Sequence, residues 1–280
     1  MRTHLIYCSL LTTFSLIAVG SAHADITLTY KDTGFSPEER QTIIQVHGDK
    51  VRMSEVGSDI YSLYDDAKKI LYTVNTKTAQ YVETTPEKMR ERMTKAVEMQ
   101  NQFKEGMKKQ IAAMPEEQRK PLEERMKQAE EALKAPPPTV KMEKTERKDT
   151  VQGIACTISS VKVNDQPVRE VCIAGSDAMD AADHKMLVTM FEYMDNIGAE
   201  SAKVQGITPP SEGSASLHRE GLALRIQAVP EGPRSELASM TKGALNDVDF
   251  KVPEGFAVFE PANAVSPAGA PSSAPATPAK

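Results

Sequence analysis

Ile26, Leu28 and Tyr30 alternate with Thr27 and Thr29. The same period of two returns at Ile44–Val46, Val51–Met53, Ile60–Tyr64, Ile70–Val74 and Ala79–Glu83. Polar turns separate these runs: His47-Gly48-Asp49-Lys50, Asp65-Asp66 and Asn75-Thr76. Short alternating runs between tight polar turns predict an antiparallel meander over 26–84 with one buried face. Tyr61, Tyr64, Tyr72 and Tyr81 fall in this stretch, where rings pack on a sheet and hydroxyls seek a partner.

The period then changes. Met89, Met93, Ala96, Gln100, Phe103, Met107, Ile111 and Met114 recur at three and four, opposite a Lys, Arg and Glu face. Thr85 is a candidate cap before Pro86, and Pro115 ends this helix at Met114. A second stripe follows: Leu122, Met126, Ala129 and Leu133. The short break predicts a helical hairpin over 86–134, stopped by Pro136-Pro137-Pro138.

Strands are expected again at Val140–Lys148, Ile154–Val163 and Val168–Ala174. A further helix is expected at about Ala178–Asn196, after Gly175-Ser176-Asp177. A polar loop over Gly198–Leu217 leads to alternating Leu222, Leu224, Ile226 and Ala228. Leu237–Thr241 and Val248–Val252 are weaker strand candidates. Strands, hairpin, strands, helix, strands without βαβ alternation predict one α+β domain over 25–260. It is a curved antiparallel sheet with an inserted helical hairpin and a second helical segment lying against it. Residues 261–280 are almost entirely Ala, Pro and Ser, a composition that does not order itself.

The ends and the cysteines set the compartment. Arg2, the apolar Leu10–Val19 and Ala22-His23-Ala24 read as a cleaved signal peptide over 1–24. Cys8 follows Tyr7 and precedes the apolar core, which is not a lipoprotein pattern, and no run reaches the length of a transmembrane segment. The expected place is a bacterial periplasm. Cys156 and Cys172, equidistant from Asn164, then form an even pair in an oxidising compartment. A hairpin turning at Asn164-Asp165-Gln166-Pro167 brings them roughly opposite, so a disulfide is expected. A metal thiolate pair lacks further ligands nearby, and a redox C-x-x-C is absent.

Composition narrows the function. A net charge of −5, aromatics at 5% and no Trp disfavour nucleic-acid binding and stacking platforms. No G-x-S-x-G, H-E-x-x-H, P-loop or EF-hand pattern occurs, so no enzyme, cofactor or metal is expected. Asp180 and His184, with Asp177 and Asp183, have a spacing that can share a metal, but carboxylates at a helix start fit the dipole better. His47 and His218 read as ordinary surface or turn histidines. Ten of the 14 methionines lie in the helical segments, where thioethers suit packing or adaptable apolar binding. Copper binding wants exposed, closely spaced methionines.

The chain also resembles the secreted bacterial family called domain of unknown function 4412. The likeness is carried by Gly48-Asp49-Lys50-Val51-Arg52-Met53, Ile60-Tyr61-Ser62-Leu63-Tyr64-Asp65 and Lys69-Ile70-Leu71-Tyr72-Thr73-Val74-Asn75, then Gln80-Tyr81-Val82-Glu83. Met114-Pro115-Glu116-Glu117-Gln118-Arg119, Gly153-Ile154-Ala155-Cys156, Val171-Cys172-Ile173-Ala174 and Val252-Pro253-Glu254-Gly255-Phe256 continue it, from about Asp25 to Phe256. That family is similar in architecture to the periplasmic lipoprotein carriers, whose half-barrel sheet wraps an apolar cavity under helices. The resemblance implies binding of a lipid, a lipoprotein or another hydrophobic ligand, and carries no catalytic residue.

The expected apolar sheet face holds Leu28, Tyr30, Val46, Tyr72, Val74, Leu222, Leu224 and Ile226. If the hairpin meets this face tightly, it is structural. If curvature leaves room, Met107, Ile111, Met114 and Met126 form a lid hinged at Pro115, and the ligand site comprises these four with Tyr72, Leu222, Leu224 and Ile226. The alternative is a chaperone-like module with a periplasmic protein partner. Met114–Arg119 is superficially like the repeat of small periplasmic helical chaperones.

Overall fold

A computed structural model describes residues 25–133, 139–206 and 214–260. The expected signal peptide over 1–24, the Pro136–Pro138 spacer, Pro209-Pro210 and the tail over 261–280 lie outside the described residues. The alternating runs become β1 (Ile26–Thr33), β2 (Arg40–His47), β3 (Lys50–Glu55), β4 (Ile60–Asp65), β5 (Ile70–Asn75) and β6 (Gln80–Thr84). The hairpin is α1 (Pro86–Ala112) and α2 (Glu116–Leu133). Then come β7 (Val140–Val151), β8 (Ile154–Val163), β9 (Gln166–Ala174), α3 (Ala181–Val204) and α4 (Ser214–Arg219). The chain closes with β10 (Ala223–Ala228), β11 (Arg234–Lys242) and the short β12 (Ala257–Val258).

All twelve strands of the described residues join one curved, unclosed sheet in the order β12-β6-β5-β4-β3-β2-β1-β11-β10-β9-β8-β7. Only β12, beside β6, is parallel to its neighbour. The first strand is therefore in the middle of the sheet: Leu28 faces Ile44 on β2 and Met240 on β11. Two antiparallel meanders meet along it, and the helical insertions follow β6 and β9. The fold is α+β and half-barrel-like.

The sheet's inner face is covered by α3. Leu187, Met190, Tyr193 and Ile197 recur at three and four and are buried with Ile26, Leu28, Val46, Val51 and Tyr64. Asp180 caps this helix, its carboxylate accepting from Ala182 N at 2.9 Å. The Tyr193 hydroxyl donates to the Lys69 and Thr84 carbonyls, tying α3 to the ends of two strands. Helix α3 runs on to Val204, through the stretch expected as loop, because Ile197 still packs into the core.

The hairpin does not cover the sheet. Helix α1 starts as expected, with Thr85 Oγ1 accepting from Lys88 N at 3.2 Å. Its first half leans on α3, where Arg90 Nε meets Glu200 at 2.9 Å. Its far half and α2 pack chiefly on each other, leaving Phe103 60% exposed. The stripe over 86–134 is narrow and flanked by charge, whereas α3 carries Met186, Leu187, Met190, Phe191, Tyr193 and Met194 around much of its girth. The wider apolar surface takes the sheet.

Nor is the apolar pattern confined to one face. Leu71 stands opposite Tyr64 on the inner side, so Tyr72, opposite Leu63, and Val74, opposite Tyr61, point outward. These four form a second cluster closed by Phe250, with Leu245, Val252 and Phe256 against it. Val248–Val252 is thus not a strand: Asp247–Phe250 is a 3-10 turn capped by Asn246 that plugs Phe250 into the outer face.

Candidate functional site

Where α3 and α4 rest over β1, β2, β10 and β9, the inner face does not close. A cleft of about 260 Å³ remains. Its walls are mainly apolar: Tyr30, Ile44, Phe191, Leu217, Ala223 and Ile226. Thr42, Ser235, His218 and Arg169 supply the polar edges. Two irregularities shape the floor. The β1–β11 register shifts between Thr29 and Tyr30, and the β9–β10 register shifts between Ala223 and Arg225. Such shifts bend a strand and increase its twist. The Tyr30 hydroxyl crosses the floor to donate to the Ala223 carbonyl at 2.9 Å. Burial pushes the Tyr30 phenol well above its ordinary range, so it stays a neutral donor.

Helix α4 is placed by contacts from α3. Asp195 Oδ2 accepts from Ala215 N at 2.8 Å, Arg219 meets Glu192 at 3.0 Å, and His184 Nε2 donates to the His218 carbonyl at 2.8 Å. Gly221 then lets the chain pass tight against β9, since a Cβ there would lie 1.7 Å from the Ala174 carbonyl oxygen. The result is that the His218 ring stacks flat on Phe191, with centroids 4.2 Å apart. His218 is only 6% exposed. Its Nδ1 is buried and has no hydrogen-bond partner. Burial, reinforced by the charge of His184, pushes its pKa down to about 4, so the ring is neutral near pH 7.

Arg169, on β9, is exposed at the cleft. Neighbouring arginines are spoken for: Arg147 by Glu170, Arg219 by Glu192, Arg225 by Asp149 and Glu236, and Arg234 by Glu236. Arg169 makes no ion pair with a described residue.

The sequence-predicted ligand residues are not gathered in one place. Ile226 lines this cleft, while Leu222 and Leu224 are sealed into the main core. Tyr72 belongs to the outer cluster, beside a separate charged recess of about 310 Å³ under the C-terminal segment. Ile111 and Met126 line a groove of about 220 Å³ within the helical hairpin, with Met107 half-buried and Met114 exposed on the same hairpin. No lid over the sheet results. The linear pattern does not mark Arg169, Phe191, Leu217 or His218 as ligand residues. The one available signal is Arg169 itself, a cation interrupting an otherwise apolar β9 face of Val171 and Ile173.

The two histidines and the acidic helix start also find definite roles. His218 is buried rather than a surface residue. His47 bridges two carboxylates, Nδ1 to Asp25 at 2.8 Å and Nε2 to Asp247 at 2.5 Å. Among the described residues no group of three or more His, Cys, Asp or Glu could hold a metal, and no helix is long and apolar enough to cross a membrane. The Cys156–Cys172 disulfide is formed.

No protein-family model and no curated protein matches the chain. Among solved structures, an uncharacterized conserved protein from Thermus thermophilus is similar at 8% identity and a TM-score of 0.40, over 84% of this chain and 90% of that one. Two structures of PNGF-II align at 11% identity with TM-scores of 0.38 and 0.37; the aligned part is 30% of the PNGF-II chain in each. Similarity at this level carries no argument about this chain's activity.

Proposed function

We propose that the protein is an exported, non-enzymatic binding protein that holds a hydrophobic ligand in the cleft between the inner sheet face and helices α3 and α4. The observation that carries this reading is the cleft of about 260 Å³ walled by Tyr30, Ile44, Phe191, Leu217, Ala223 and Ile226. A largely apolar concavity with a few directed polar groups is the usual form of a small-molecule site. The periplasmic location and the likeness to the domain of unknown function 4412 family belong to the same proposal.

The test is binding of an environment-sensitive apolar dye to the full chain. Ile226→Trp fills the cleft from a half-buried position and should abolish binding while the melting temperature holds. Lys109→Ala, on the outer hairpin face, should leave binding unchanged. Equal binding by Ile226→Trp and the parent protein would reject the cleft as the site.

A second reading has one observation in its favour. Phe103 is 60% exposed and Met114 37% exposed on the far part of the hairpin, which suits contact with a protein partner. Suppression of aggregation of an unfolded client, lost in Phe103→Ser, is the distinguishing result.

A further inference from the structure

Resting on the proposed ligand cleft, we infer that its ligand is an anionic amphiphile of the fatty-acid type, with the acid group paired to Arg169 and an oxygen hydrogen-bonded to His218. Two independent observations lead there. The first is charge. Arg169 lines the cleft, has no ion pair with a described residue, and sits among four arginines that each have one. A guanidinium left open at the edge of an apolar cavity selects a carboxylate or a related oxyanion, which it grips with parallel N–H bonds. The acid on this stretch of β1, Asp32, is already engaged by Thr42 Oγ1 at 2.6 Å.

The second is an unsatisfied polar atom. His218 lines the same cleft, and its Nδ1 is buried without a hydrogen-bond partner. Leaving such an atom bare is unfavourable, and a ligand oxygen removes the penalty. A plain hydrocarbon satisfies neither group. A cationic amphiphile would meet Arg169 as a like charge. The apolar lining, Ile44, Phe191 and Ile226, suits the aliphatic chain.

The experiment is calorimetric titration of the full chain with decanoate, decanol and decyltrimethylammonium at low salt, repeated with Arg169→Gln and His218→Phe. Decanoate should bind roughly tenfold more tightly than decanol, the size of one charge-assisted hydrogen bond. Arg169→Gln should bring the two to equality, and added salt should shrink the difference for the parent protein. His218→Phe keeps a flat ring on Phe191 and should weaken decanoate several-fold without loss of folding. If decanol binds as well as decanoate and Arg169→Gln changes nothing, the headgroup assignment fails while the apolar cleft stands. If none of the three binds, the cleft itself is not a ligand site and both readings fall. A preference for the cation overturns the assignment outright.

Discussion

Cys156 and Cys172 stand diagonally, not opposite each other, across the β8–β9 hairpin. Cys156 faces Ala174 and Cys172 faces Ile158, with the bridged Cα atoms 5.4 Å apart. The tight turn at Asn164-Asp165 pairs Val163 with Gln166 and Lys162 with Pro167. Continued without interruption, that register would set Ile173 opposite Cys156 and turn Cys172 to the other face. Val168 is instead skipped, so that Val161 meets Arg169. This single bulged residue returns both cysteines to one face, because a shift of one residue inverts every side chain beyond it.

Deleting Val168 should therefore keep the disulfide, because Arg169 then follows Pro167 directly and Val161–Arg169 and Ile158–Cys172 remain paired in an unbroken ladder. Alkylation followed by intact-mass measurement should find no free thiol in the deletion variant, as in the parent, and two free thiols in the variant would show that Val168 is not the skipped residue. Removing the bridge by Cys156→Ser with Cys172→Ser should cost about 3 kcal/mol, the chain-entropy estimate for a loop of this length, measured by denaturant unfolding.

His47 makes the C-terminal segment sensitive to alkaline pH. Burial opposes its charge, but the hydrogen bonds to Asp247 and Asp25 outweigh that and raise its pKa above the ordinary 6.5. The ring also lies 4.9 Å from Phe250, the plug of the outer cluster, and Leu245 N donates to Asp25 Oδ2 at 2.6 Å. Lys50, opposite His47 across β2 and β3, and Lys251 act on the same carboxylate, Asp247. A raised pKa means the stabilisation is full below pH 6.5 and is lost as pH climbs through the raised value. His47→Gln should thus lower the melting temperature at pH 6 and match the parent at pH 9. A constant difference across that range would disprove the ionic clasp.

His218 acts with the opposite sign. Its pKa is pushed down to about 4, chiefly by burial and then by His184, so acid must charge a ring that the fold holds neutral. Stability is present above pH 6.5 and falls as pH drops toward 4, by an amount on the order of 3 kcal/mol. His218→Phe should flatten this acid limb in a series of unfolding curves from pH 7 to pH 4. An unchanged slope would show that other groups dominate acid unfolding.

The helical hairpin and α3 should respond differently to core disruption. Met190, on α3 and 1% exposed, belongs to the main core, and Met190→Ala should cost about 2–5 kcal/mol. Ile111 is also buried, but only within the hairpin groove. Ile111→Asn should reduce helical circular dichroism and leave the main thermal transition within about 2 °C of the parent. A large fall in that transition would place the hairpin in the cooperative core.

Local order was determined by the sequence itself. Alternation of Ile26, Leu28 and Tyr30, the turn residues at Gly48 and Asn164, and the three-and-four spacing of Met89 and Met93 act over a few residues, where backbone geometry and side-chain period suffice. The α+β class and the neighbouring hairpins follow from them. Which apolar surface meets which was decided only in three dimensions. Leu71 and Tyr72 are both apolar neighbours in one strand, yet pleating sends one under α3 and the other under Phe250. The competition between α3 and the hairpin for the sheet turns on relative apolar girth, and the bulge at Val168 decides the face of Cys172. The cleft is the furthest from the linear pattern. Arg169, Phe191 and His218 come from a strand, a long helix and a short helix, and they converge because β10 returns to pair with β9 beneath α3 and α4. No local period encodes that return, since its energy comes from burying surfaces distant in the chain.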